Sequence, residues 1–336
     1  MTNGAILIVG PSWVGDMVMA QSLFRLLKAR RPEVALDVLA PGWSLPLIAR
    51  MPEVRKGIES PARHRELAIG RRRELGRRLQ AENYGQAIVL PRSLKAALVP
   101  WFARVPRRTG YQGEMRYGLI NDMRAFDRRV LDQTVKRFVA LGIGRDEPLP
   151  PIPHPRLTVS TDRQQAAIAR LQMETDKPVI AIMPGAEYGP AKCWPLEHFR
   201  TLAGMLTATG HAVWVMGSDK DRAAGDVIAG NGRALNICGR TTLEEAIDLL
   251  AGCREAVSND SGLMHVAAAV GTRVIGIYGS TTPEFTPPLT DDRVLHYLKI
   301  ECSPCFRREC PLGHLRCLRD ITPAAVYASV VGAQRA

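Results

Sequence analysis

The chain has 336 residues, 46% of them hydrophobic and 23% charged, with a formal net charge of +12. That length suggests two domains, each able to bury its own core, and the composition excludes a disordered chain. No run of about 18 apolar residues occurs, and the N-terminal MTNGAILIVG lacks the basic flank and cleavage site of an export signal, so the sequence reads as cytoplasmic. The charge is uneven: residues 1–150 hold 26 Lys and Arg against 14 Asp and Glu, and the remainder is balanced at 19 of each. A basic first half implies an anionic partner, whether nucleic acid, membrane surface or acidic substrate; a basic surface serving solubility is the plain alternative.

Residues 5–10 (AILIVG) form a buried-strand run. The loop 11–16 turns it into a helix over 17–30 with apolar residues at helical spacing. A second strand at 35–39 ends at Pro41-Gly42, a helix covers roughly 44–50, and another strand follows at 86–90. Strands alternating with helices at this spacing predict βαβ units and a parallel, doubly wound sheet, whose ligands bind beyond the carboxyl ends of the strands. The loop 11–16 therefore lies at a ligand site by fold logic alone.

Between these elements, residues 62–80 contribute Arg63, Arg65, Arg71, Arg72, Arg73, Arg77 and Arg78, balanced only by Glu66 and Glu74. Guanidinium groups match phosphate and carboxylate in bidentate fashion, so this cluster suits a polyanion; a solvated helix face is the alternative. Arg104, Arg107, Arg108 and Arg116 continue the basic character.

From Glu147 to Pro155 five prolines occur in nine residues, a stiff extended connector read as the domain linker, with a first domain over 1–150 and a second over 151–320. Beyond it the pattern restarts: helix 161–173, strand 179–183, loop 184–195, helix 196–209, strand 212–216, turn 217–221, helix 221–229, loop 238–241, helix 243–251 and strand 256–258. That strand feeds VSNDSGLMHVAAAV, residues 257–270, where a polar turn breaks into a helix. Unpaired N–H groups at such a helix start, with the positive end of its dipole, suit a phosphate or diphosphate, and Gly262 permits close approach. An ordinary capped core helix is the alternative. Converging on one crevice, the strand-end loops supply Lys192 for phosphate charge and an acid at Asp219 or Asp221 for ribose hydroxyls, so a nucleotide site is the economical reading. The sequence contains no G-x-G-x-x-G after the first strand, no P-loop and no H-E-x-x-H, which removes support for dinucleotide oxidoreduction and P-loop chemistry. What remains is two nucleotide-type domains across a cleft, with Asp16 directed from the first towards the second.

The segments GPSWVGDMVMAQSL, EMRYGLIND, PGAEYGPAKCWP and SNDSGLMHVAAA, in this order, resemble the bacterial ADP-heptose:lipopolysaccharide heptosyltransferases of glycosyltransferase family 9, and the likeness spans nearly the whole chain. The resemblance implies a GT-B fold, α/β, with two Rossmann-like doubly wound domains facing each other across a cleft and a C-terminal helix, 321–336, packing back on the N-terminal domain. It implies inverting, metal-independent transfer of L-glycero-D-manno-heptose from ADP-heptose onto the first heptose of the lipid A-Kdo inner core. Asp16 falls where the family places its catalytic base, which takes the acceptor hydroxyl proton. Donor-binding positions fall on Gly185, Lys192, Ser218, Asp219, Asp221, Asp260, Ser261, Gly262 and His265, with no metal needed to meet the charge on departing ADP. Glu187 and Tyr188 stand where some relatives carry hydroxyl residues. Candidate acceptor contacts are Ser12, Trp13, Arg63, Arg65, Arg71, Arg72 and Arg73. The acidic acceptor places the enzyme peripherally at the cytoplasmic face of the inner membrane, with no nucleic acid as partner. Rival readings are a heptosyltransferase I or III with a different acceptor, a nucleotide-sugar epimerase of the same fold, and, from charge alone, a nucleic-acid-binding protein.

Four of the seven cysteines, Cys302, Cys305, Cys310 and Cys317, lie within sixteen residues together with His314. In a cytosolic protein such spacing suits a structural zinc or simply reduced thiols, with an iron-sulfur cluster a weaker option. Some members of the resembled family lack the segment, so the shared chemistry does not depend on it.

Overall fold

Four consecutive apolar residues with no polar partner in their own segment must be covered on both faces, and Ile6–Val9 (β1) is buried throughout between two parallel neighbours. Those are β2 (Leu36–Ala40) and β4 (Gln86–Val89); with β3 (Lys56–Glu59), β5 (Arg107–Tyr111) and β6 (Asp122–Arg124) they form one parallel sheet ordered β3-β2-β1-β4-β5-β6. In this computed structural model residues 4–61, 66–230, 232 and 234–332 are described.

The second sheet repeats the plan. Its strands β7 (Val179–Met183), β8 (Ala212–Val215), β9 (Leu235–Asn236), β10 (Glu255–Asn259), β11 (Arg273–Tyr278) and β12 (Arg293–Tyr297) run parallel in the order β12-β11-β10-β7-β8-β9. Each order reverses beside the first strand of its unit, which opens a crevice at the carboxyl ends of the flanking strands. This is the pair of doubly wound Rossmann-like α/β sheets of a GT-B fold. The chain divides into two units at Pro155/Arg156, five residues beyond the expected boundary. The proline connector stays with the first unit because Arg30 pairs with Glu147 at 2.5 Å and the Arg25 guanidinium donates to the His154 carbonyl.

Several expected bounds shift. The first long helix starts at Val14, not Met17, so Asp16 sits in its first turn rather than in the preceding loop. The final helix, Pro323–Gly332, sets Val326 and Val330 into the core of the second unit beside Phe199, Trp194 and Ile275. Those two side chains are thus buried within the second unit; residues 333–336 lie outside the described residues. Strands β3, β5, β6, β9, β11 and β12 were not among the expected elements. β5 opens with Arg107-Arg108 and β3 alternates half-buried with exposed residues, so neither displays a continuous apolar run.

Candidate functional site

In the second unit the loops after β7, β8, β10 and β11 leave the same edge of one parallel sheet, and side-chain bonds lace three of them together. Asn259, at the end of β10, donates to the Pro184 carbonyl at 2.6 Å and accepts from the Trp194 N–H at 3.0 Å, pinning both ends of the loop 184–195. The Trp194 ring is fully buried and its Nε1 donates to the Ile321 carbonyl. That anchoring fixes Lys192 two residues earlier, whose Nζ lies 2.5 Å from Asp260 Oδ2. Asp260 also accepts from Thr281 Oγ1 at 2.7 Å and from Thr286 Oγ1 at 3.3 Å, both from the connection after β11. These threonines were not among the expected site residues; they come to Asp260 only because β10 and β11 are neighbours.

The helix Gly262–Ala269 begins directly after Asp260. Ser261 is its N-cap residue, yet its side chain makes no capping bond; its Oγ lies 3.1 Å from Ser258 Oγ instead. The first turn thus has no capping side chain from its N-cap residue, in contrast to the helix Leu243–Ala251, where Thr242 and Glu245 close a reciprocal capping box. His265 lies one turn in. Burial lowers its pKa to about 4, with Asp260 opposing and Lys192 adding to the shift, so the imidazole is neutral at pH 7 and brings no charge to an anion.

On the loop after β8, the Asp221 carboxylate accepts from the Ser218 N–H and Oγ, each at 2.8 Å, in a capping box. A Cβ on Gly185 would come 2.5 Å from Asp221 Oδ1, so glycine there allows this carboxylate to close against the loop after β7. Asp219 is the exposed acid of the two and pairs with Arg222 at 2.6 Å. Gly185, Lys192, Ser218, Asp219, Asp221, Asp260, Ser261, Gly262 and His265 thus share one edge of one sheet, with Ser218 and Asp221 committed to each other.

In the first unit Asp16 is half-buried in the first turn of the helix after β1, and Ser12 and Trp13 before it are exposed. Gly10 allows this helix to close on the sheet, since a Cβ would meet the Met17 side chain at 2.6 Å. The basic helix is Ile69–Leu79. Arg73 is exposed on it, and Arg71 is exposed but pairs with Glu66. Arg72 is not a surface cation: it is buried, with Nε donating to the Leu67 carbonyl at 2.7 Å, and desolvation lowers its pKa. Arg63 and Arg65 lie outside the described residues. Arg116 is also buried, donating to the carbonyls of Pro91, Ser93 and Tyr111, and burial lowers its pKa to about 10.

The cysteines are all free thiols; Cys317 is buried and Cys302, Cys305 and Cys310 are half-buried. The nearest histidine nitrogen, His314 Nε2, stands 4.0 Å from Cys302 Sγ. Among the described residues no three His, Cys, Asp or Glu side chains are grouped as a metal ion requires.

A family model described as glycosyltransferase family 9 (heptosyltransferase) matches residues 72–316. The chain belongs to glycosyltransferase family 9. It is 44% identical to lipopolysaccharide heptosyltransferase 2 of Escherichia coli over 333 residues, 96% of each chain. It is 44% identical to lipooligosaccharide heptosyltransferase 2 of Haemophilus influenzae, over 95% of this chain and 96% of that one. The solved E. coli ADP-heptose LPS heptosyltransferase II superposes with a TM-score of 0.88 at 40% identity, covering 99% of this chain and all of that one. The E. coli heptosyltransferase WaaC, solved with ADP, shares the fold at a TM-score of 0.72 and 20% identity, over 98% of this chain and 99% of that one. As a family 9 glycosyltransferase the chain is an enzyme. The family model begins beyond Asp16, so the role of that residue rests on the longer likeness and on its own chemistry.

Proposed function

We propose that this enzyme transfers L-glycero-D-manno-heptose from ADP-heptose onto the first heptose of the lipid A-Kdo inner core, with inversion and without a metal ion in the chemical step. The observation that carries the reading is the end-to-end likeness to heptosyltransferase 2, 44% identity over 96% of both chains. The donor diphosphate lies at the uncapped start of helix Gly262–Ala269 beside Lys192, and Asp219 meets the ribose hydroxyls. In the first unit Asp16 is the base. As the acceptor oxygen attacks the anomeric carbon, its proton passes to the Asp16 carboxylate, the new C–O bond forms, and the bond to the diphosphate oxygen breaks with its electron pair leaving on ADP. Fixed N–H groups and Lys192 meet that charge where it develops.

The enzyme works as a peripheral protein at the cytoplasmic face of the inner membrane. No helix among the described residues is long and apolar enough to cross a membrane. Support for surface docking comes from the basic helix Ile69–Leu79, which opens beside the exposed Leu67 and Ile69. The four clustered cysteines enter this reading as reduced thiols.

The test is ADP release from ADP-heptose with acceptors carrying no heptose, one heptose or two. Turnover confined to the one-heptose acceptor is expected. Preference for another acceptor would keep the donor and move the enzyme to the heptosyltransferase I or III reaction, and no transfer to any would reject the assignment.

A further inference from the structure

The ring of Tyr188, on the loop after β7, has two cations over it: Lys192 Nζ is 5.3 Å from the ring centroid and the Arg308 guanidinium carbon 5.5 Å. Arg308 belongs to the cysteine-bearing segment, which lies along this loop. The Tyr188 hydroxyl donates to the Phe306 carbonyl at 2.8 Å, and the Ala191 N–H donates to the Arg308 carbonyl at 3.0 Å. Gly189, at φ +150°, makes room for the approach, since a Cβ there would stand 2.6 Å from the Arg308 oxygen.

The cations of these loops differ in their partners. Lys192 is already matched by Asp260 at 2.5 Å, Lys220 by Glu187 at 2.9 Å, and Arg222 by Asp219 at 2.6 Å. Arg308 is exposed and, among the described residues, has no carboxylate at ion-pair distance. Two cations sharing one aromatic ring, one without an anion, repel each other until an anionic ligand arrives. A departing diphosphate carries at least two negative charges. Lys192, offset by Asp260, and the fractional positive charge of one helix end of about half a unit leave those charges undercompensated.

We propose that Arg308 is a second cation of the donor site and binds the donor diphosphate beside Lys192. The inference rests on the ADP-heptose reading above. The cysteine-bearing segment then serves the site as a platform: its backbone bonds to Tyr188 and Ala191 fix where the Arg308 guanidinium can reach. Residues in these backbone contacts keep them under side-chain substitution, so the charge can be removed without the platform.

The experiment compares wild type, Arg308→Ala, Arg308→Lys and, as a neighbouring control, Arg307→Ala, by calorimetric titration with ADP and by donor and acceptor KM. Loss of one charge-assisted contact predicts an ADP Kd and donor KM raised about tenfold in Arg308→Ala, less in Arg308→Lys, with acceptor KM and the Arg307→Ala values unchanged. An Arg308→Ala protein that binds ADP within twofold of wild type overturns the proposal while leaving the donor reading intact. Wild type that does not bind ADP removes the donor reading and this inference together. If Arg308→Ala melts earlier than wild type, Arg308→Gln, which keeps most of the side-chain volume, decides by the same criterion.

Discussion

Lys192 Nζ and Asp260 Oδ2 meet at 2.5 Å between two loops that are 68 residues apart in the chain, and both side chains are largely buried. A buried pair of this kind is costly to break from one side, because the remaining charge has no partner. Lys192→Met is therefore expected to lower stability by about 3 kcal/mol, whereas the double variant Lys192→Met/Asp260→Asn regains most of it. ADP affinity separates the two roles: it stays weak in both variants if Lys192 meets the diphosphate. Recovery of ADP binding in the double variant would confine Lys192 to structure.

As the proposed base Asp16 has a different signature, since a base contributes to the transition state and not to donor binding. Asp16→Asn is expected to cut kcat by about 10²- to 10⁴-fold while ADP binds as in wild type. The change from carboxylate to amide keeps the shape of the first helical turn, so a fall in melting temperature large enough to explain the lost turnover would count against the role.

Burial of His265 also predicts a pH dependence. His265 has its pKa lowered to about 4 by burial, against 6.5 ordinarily, so the unfolded chain takes up a proton that the folded one refuses. The stabilisation is whole above about pH 6.5 and drains as pH falls towards 4, amounting to about 3 kcal/mol. Asp122, in the first unit, responds in a lower window. Burial alone would raise its pKa, but bonds from Arg124, Thr109 and Arg107 outweigh burial and bring it to about 2, so its contribution is lost between about pH 4 and 2. Urea unfolding of His265→Asn should show a flatter profile between pH 7 and 4.5 than wild type; equal slopes would mean that other groups carry that dependence.

The parallel sheets and the turn into helix Gly262–Ala269 were legible because their signals are local. Runs such as Ile6–Val9 and Val179–Met183 are apolar without interruption, and Ser258 to Gly262 carries its turn and helix start in five residues. What escaped is set by partners distant in sequence. Thr281 and Thr286 look like loop threonines until β11 lies beside β10 and delivers them to Asp260. Arg72, Arg108 and Arg116 count as surface charge in the sequence, yet each is bonded to backbone carbonyls, a use of guanidinium donors that no composition reveals. The heptose acceptor came from resemblance, as nothing in the residue pattern alone distinguishes one sugar from another.

The cysteine segment offers a chemical readout of its own. Cys310 is held below the ordinary thiol range by backbone N–H groups, that of Leu315 first, with Leu312, Gly313 and His314 adding, whereas burial raises Cys317 to about 11 and Cys238 to about 12. A lower pKa gives more thiolate at pH 8, so iodoacetamide should label Cys310 well before Cys317, Cys238 or Cys253 by peptide mass spectrometry. Equal protection of Cys302, Cys305, Cys310 and Cys317, relieved by a chelator, would instead reveal a bound metal.

The basic helix carries one buried arginine among exposed ones. Arg73, Arg77 and Arg78 are exposed on Ile69–Leu79, while Arg72 is buried with its Nε on the Leu67 carbonyl. Basic residues at an anionic surface contribute about 1 kcal/mol each, so replacing Arg73, Arg77 and Arg78 by glutamine should weaken binding to vesicles containing anionic lipid by about two orders of magnitude in low salt. Wild-type binding should itself weaken as salt rises. Arg72→Gln is expected to act on folding instead, lowering the melting temperature, because the carbonyls it satisfies are left without their donor. Vesicle binding unchanged by the triple substitution would assign the charge of this helix to solubility and leave the acceptor to be held elsewhere on the first unit.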